Sequence, residues 1–176
     1  VFGPVDLPRI TAPGWEDCNQ TKLAWVAYNH AERLIYSSNS ENATCLNAYK
    51  LDLATQTAVW VKSRRLHERN GVWLRITGGV SGGEFSPSGK LYLAVHDVDD
   101  GGLLVIDTNG ETDAMGQVVA DVPIDFPDKD PDLGYELEGL TFWDVPNYYA
   151  KPPGISGQVH VIMLDNDWPT DDQSYF

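Results

Sequence analysis

Apolar and polar positions along the chain recur as pairs of short strands. Tyr28-Asn29-His30-Ala31-Glu32-Arg33-Leu34-Ile35-Tyr36 aligns with Phe85-Ser86-Pro87-Ser88-Gly89-Lys90-Leu91-Tyr92-Leu93 at a displacement of 57 residues, and the aromatic anchor returns at Phe142. An insertion from Val145 to Gly157 delays the second half of that third copy until Gln158-Val159-His160-Val161-Ile162-Met163. Each copy is an apolar strand ending in an aromatic, a polar turn, and a second apolar strand. No segment sustains a 3.6-residue period, and glycine and proline interrupt the chain throughout.

This pattern predicts strands near 22–28, 33–38, 46–53 and 57–63 in a first repeat, and near 80–86, 90–96, 103–107 and 117–124 in a second. Asp52 and Asp107 close the third strand of each repeat, and Asn109-Gly110 supplies a tight turn. Four antiparallel strands per repeat, at a period of this length, predict an all-β fold of β-propeller blades. The repeats span about 22–63, 80–124 and 138–176, within a single domain covering 1–176. That is two and a half to three blades, whereas closed propellers use four to eight. Unpaired blade edges attract other strands, so further sequence or another chain is expected to complete the ring. Residues 1–16, with Pro4, Pro8 and Pro13, read as an extended lead-in that could add one strand.

A chain of 176 residues can bury one sizeable core, and its composition shows no break that would divide it. Six Trp and eight Tyr suit strands that pack face to face. The formal charge of −14 argues against nucleic acid and anionic membrane as partners, since both need clustered cations. Arg64-Arg65 and Arg69 form the one basic knot and read as a solvated loop.

The two cysteines, Cys18 and Cys45, each adjoin an Asn-x-Thr sequon, Asn19-Gln20-Thr21 and Asn42-Ala43-Thr44. Paired sequons beside paired cysteines in an acidic chain predict a secreted glycoprotein with a Cys18–Cys45 disulfide. On this reading Val1 follows a removed segment, and glycan falls on Asn42, in the polar run 37–44, in preference to Asn19. The alternative is a pair of buried free thiols.

The segment Tyr135-Glu136-Leu137-Glu138-Gly139-Leu140-Thr141-Phe142 resembles the Glu-Gly-hydrophobic-x-aromatic opening of blade strands in calcium-dependent propellers, namely the phytase-like, gluconolactonase/senescence-marker and strictosidine-synthase-like families. The resemblance implies that Glu138 reaches a calcium ion in a central channel. The matching positions of the other repeats carry Ser81 and Ala24, so no symmetric acidic ring is expected. Upstream, Asp128, Asp130 and Asp132 alternate on one loop, an oxygen-rich pattern that suits a hard cation. Glycine at the seventh position, and no glutamate at the twelfth, rule out an EF-hand.

His96 and Asp97 end the second strand of the second repeat, a histidine beside a carboxylate, and are the candidate proton-transfer pair. Nucleophile elbows and phosphate loops are absent: the run Gly78-Gly79-Val80-Ser81-Gly82-Gly83 lacks the setting of either. Three functions remain open. One is a calcium-assisted hydrolase of the lactonase, esterase or phytase-like kind. Another is a non-catalytic recognition protein taking a small-molecule or carbohydrate ligand in lectin fashion. The third is a propeller fragment that serves only as scaffold within a larger protein.

Overall fold

A computed structural model describes residues 7–20, 23, 25–96, 102–109, 115–123, 135–144, 157–165 and 173–175. These residues form strands and loops, with one turn of 3-10 helix at Glu16–Cys18. The first unit contains β1 (Ala27–Asn29), β2 (Leu34–Ser37), the short β3 (Glu41–Ala43), β4 (Cys45–Asp52) and β5 (Thr57–His67). The second contains β6 (Ile76–Phe85), β7 (Lys90–His96), β8 (Gly102–Asp107) and β9 (Met115–Pro123). The third contains β10 (Tyr135–Asp144), β11 (Gly157–Asp165) and β12 (Gln173–Tyr175).

Each of the first two units is a four-stranded antiparallel meander, β1-β2-β4-β5 and β6-β7-β8-β9. Their turns are set by equivalent polar side chains. Asn29 Oδ1 accepts the backbone N–H groups of Ala31 and Glu32, while Ser86 Oγ accepts that of Lys90. Asp52 and Asp107 do the same for Ala54 and Asn109, mimicking a backbone turn with a side-chain carboxylate. Strand β5 runs four residues beyond its expected end, and β3 has no counterpart in the sequence reading.

Those two differences join the units. Along the extension of β5, Arg65, Leu66 and His67 pair in parallel with Met115, Gly116 and Gln117 of β9. At the other margin, Glu41 and Ala43 of β3 pair with Gly79 and Ile76 of β6. Nine strands therefore share one sheet in the order β1-β2-β4-β5-β9-β8-β7-β6-β3, and β10-β11-β12 form another. Neither sheet closes on itself.

The main core lies between the first two units. Tyr36, Leu46 and Leu66 of the first meet Phe85, Leu93 and Ile106 of the second, all buried. Each such side chain contributes about 1.5–3 kcal/mol through removal from water. Strand β4 is buried on both faces from Cys45 to Tyr49. Leu46 and Ala48 enter the inter-unit core, while Cys45, Asn47 and Tyr49 point to the lead-in.

Residues 7–20 form no strand. They lie as an irregular layer over the outer face of the first unit. Ile10 and Cys18 pack on Cys45, with Trp15 and Trp60 partly buried around them. Cys18 and Cys45 are disulfide-bonded, their Cα atoms 5.4 Å apart. Asn47 Nδ2 donates to Cys18 O at 2.9 Å, and Asn39 Nδ2 to Asn19 O at 3.0 Å. The segment joins no ladder, and side chains of the sheet hold it instead.

Candidate functional site

The glycine-rich stretch of β6 is explained by what crosses it. A Cβ at Gly79 would lie 2.1 Å from Cε1 of His96, and one at Gly83 would lie 2.3 Å from the Trp25 ring. At Gly82 it would lie 2.8 Å from the Cα of Gly139, so the backbones of β6 and β10 touch there. The Tyr92 and Phe142 rings meet at 5.9 Å further along the same contact, and Leu137 is fully buried.

Both touching strands carry a β-bulge at the residue before that glycine. In β6 the register steps from Val80↔Val95 to Gly82↔Ala94, leaving Ser81 as the extra residue. In β10 it steps from Leu137↔Met163 to Gly139↔Ile162, leaving Glu138. A bulge bends its strand and re-aims the extra residue. The structure thus gives Ser81 and Glu138, already equivalent in sequence, the same backbone irregularity beside the same contact. Ser81 Oγ is buried and has no hydrogen-bond partner among the described residues, and neither has Nδ1 of His96, whose ring covers Gly79. Of the other predicted site residues, Asp97, Asp128, Asp130 and Asp132 lie outside the described residues, and Glu138 is placed by its backbone alone.

Downstream on β6, three segments enclose a cleft of about 500 Å³. The β1–β2 turn contributes Asn29, His30 and Ala31, and the β6–β7 turn contributes Ser86 to Gly89. Glu84, Phe85, Asn109 and Phe142 complete it. Asn29 and Ser86, and likewise Phe85 and Phe142, are 57 residues apart in sequence, so the repeat itself brings equivalent positions to one place.

A charged cluster lies in the first unit, where the sequence suggested a solvated basic loop. Arg64 is 2% exposed and sits within β5. Its Nη2 donates to Glu32 Oε1 at 3.0 Å, Lys62 Nζ donates to the same oxygen at 3.0 Å, and the Tyr36 hydroxyl donates to the other. Burial alone would raise the pKa of Glu32, but the hydrogen bonds from Tyr36 and Lys62 and the charges of Lys62 and Arg64 outweigh it and hold the carboxyl below its ordinary range. Burial, then the Glu32 contact, pushes the Tyr36 phenol far up. Arg65 lies between Trp15 and Trp73, 5.1 and 5.0 Å from their ring centroids, and bonds Asp17 at 3.1 Å. The solvated-loop reading therefore fails for Arg64 and Arg65: the strand continues past Ser63, and alternation sends Arg64 inward. The signal available in sequence was Glu32, an acid placed in a tight turn opposite two cations.

The sequons differ in placement. Asn19 uses its side chain in the fold, accepting the Ile10 N–H and donating to Glu16 O. Asn42 is exposed, at a left-handed φ of 55° on the short edge strand β3. Asp17, Cys18 and Cys45 are the one group of metal-donor side chains within reach of each other among the described residues, and the disulfide consumes both sulfurs. Among the described residues no helix is long and apolar enough to cross a membrane. No protein-family model, curated protein or solved structure matches the chain.

Proposed function

We propose that the chain is part of a secreted β-propeller that hydrolyses an ester, lactone or phosphate with the help of calcium, at the bulge site of β6 and β10. The repeated bulge carries the reading. One spacing gives Ser81 and Glu138 the same bulge on two touching strands, and the buried Ser81 hydroxyl and His96 Nδ1 have no hydrogen-bond partner among the described residues. Buried polar atoms are normally satisfied, so unsatisfied ones at a shared irregularity suit a ligand or ion.

The donor chemistry fits the ion. Calcium prefers carboxylate and hydroxyl oxygens, which Glu138 and Ser81 supply, with Asp128, Asp130 and Asp132 as candidates to complete six to eight. Bound there, calcium would polarise the oxygen of the scissile group. Imidazole is a poor partner for so hard a cation. His96 would instead handle the proton at Nδ1, an atom without a hydrogen-bond partner among the described residues, with Asp97 next to it in sequence. Four-stranded units packed on one another, with the first strands of the second and third units touching, support blades, and the remaining blades would come from further sequence or another chain. The Cys18–Cys45 bond and the exposed Asn42 support an oxidising, glycosylating compartment.

A calcium titration of the melting temperature tests the reading. At a hundred times its dissociation constant the ion stabilises the fold by about 2.7 kcal/mol, which for a chain of this size is a rise of about 5–10 °C. Glu138→Gln is expected to abolish most of that rise, together with hydrolysis of a chromogenic ester, lactone or phosphate. An unchanged melting temperature across the titration would refute the metal.

A further inference from the structure

We infer that the cleft at the end of β6 is a carbohydrate-binding site, separate from the bulge site and independent of calcium. At about 500 Å³ it falls in the size range of small-molecule sites and suits a mono- or disaccharide. Its position is built by the repeat: the β1–β2 turn, the β6–β7 turn and the end of β10 converge there.

Its chemistry selects the ligand. The carboxylate of Glu84 is half-buried, accepts only the Phe85 N–H at 3.2 Å, and has no cation partner among the described residues. Beside it stand the exposed Asn109 amide, a donor that a buried ligand would have to satisfy in place of water, and the Ser88 hydroxyl, which shares a hydrogen bond with Ser86 Oγ at 2.9 Å, with the imidazole of His30 at the rim. The half-buried Phe142 ring, supported by Tyr92, supplies one apolar surface. An anionic ligand would meet Glu84 and a chain of net charge −14. A purely apolar ligand would strand the carboxylate and the amide without water. An ammonium ligand donates but cannot accept, so it satisfies Glu84 and leaves the Asn109 amide N–H groups it covers unpaired. Sugar hydroxyls both donate and accept, and the C–H face of a pyranose lies against an aromatic ring. A neutral sugar therefore satisfies the acid, the Asn109 amide and the ring together.

Saturation-transfer NMR on the whole chain tests the inference. The probes are the methyl glycosides of glucose, galactose, mannose and N-acetylglucosamine, the disaccharides cellobiose, maltose and lactose, and choline as a cationic comparison. At least one sugar is expected to bind, with its dissociation constant raised tenfold or more in both Glu84→Gln and Phe142→Ala. Binding is expected to persist in EDTA, which separates this site from the calcium reading. Should Phe142→Ala fail to fold, Glu84→Gln alone decides. Binding of choline but no sugar, sugar binding indifferent to Glu84→Gln, loss of binding in EDTA, or no binding by any probe would each overturn it.

Discussion

Removing the carboxylate of Glu32 and removing the guanidinium of Arg64 are unequal perturbations. Arg64 is buried, and Glu32 is the anion it faces, so Glu32→Gln leaves an uncompensated charge inside the fold. The expected cost is about 2–3 kcal/mol, somewhat below that of a fully buried pair because the Glu32 side chain is 22% exposed. Arg64→Met leaves Glu32 still paired with Lys62 and bonded by Tyr36, and is expected to cost less than about 1.5 kcal/mol. Urea unfolding of both variants checks the order. The same cluster sets an acid limit. Because the folded pKa of Glu32 lies below its unfolded value of 4.5, its contribution is full above that pH and is lost as pH falls through the folded value. Wild-type melting temperature should therefore drop more between about pH 5 and about pH 3 than that of Glu32→Gln. Gly82 and Gly139 form a second contrast. Gly82→Ala drives a methyl into the backbone of β10 and should cost about 2 kcal/mol, whereas Gly139→Ala meets nothing within 4 Å and should be near neutral. Equal denaturation midpoints would remove the close approach of β6 and β10.

At the scale of elements, repeated apolar runs bounded by polar turns located β2, β4, β6, β7 and β8, because their side chains fill one continuous core and the turns between them lie outside it. It missed β3, whose Glu41 and Asn42 are exposed and whose pairing is set by proximity to β6. It also missed the inward turn of Arg64, since a buried cation reads as a surface one until its anion is found across the sheet. At the candidate site, Glu138 stood out by its motif, but its bulge and that of Ser81 are departures from regular pairing that no local composition encodes. The disulfide was legible from the cysteine pair. What it holds was not, because residues 7–20 are fixed by side chains of β2, β4 and β5 rather than by a ladder. Replacing both Cys18 and Cys45 with Ser is expected to cost about 3 kcal/mol. The irregular layer should then become the first site of proteolysis, with a red shift in Trp15 and Trp60 emission. Unchanged cleavage would show that the hydrogen bonds alone hold it.

For the whole molecule, the open margins are short: β1 and β3, the ends of the nine-stranded sheet, have three residues each, which limits edge-to-edge pairing. On the proposed propeller, faces rather than these two edges would complete the ring. Sedimentation of the natural protein is expected to show either a chain heavier than 19.5 kDa plus glycan or an assembly of several copies. A compact monomer of that mass would defeat ring completion. The parallel seam between β5 and β9 bears on a different property. Blades of a repeat array ordinarily touch only their neighbours' faces, so each can melt in its turn. Here the last strand of one unit is hydrogen-bonded to the last strand of the next, across some fifty intervening residues. Fraying of either end breaks the three-residue pairing it shares with the other. With the core they share, this seam is expected to make the first two units gain and lose structure in one step, and to make their folding wait on the closure of a long loop.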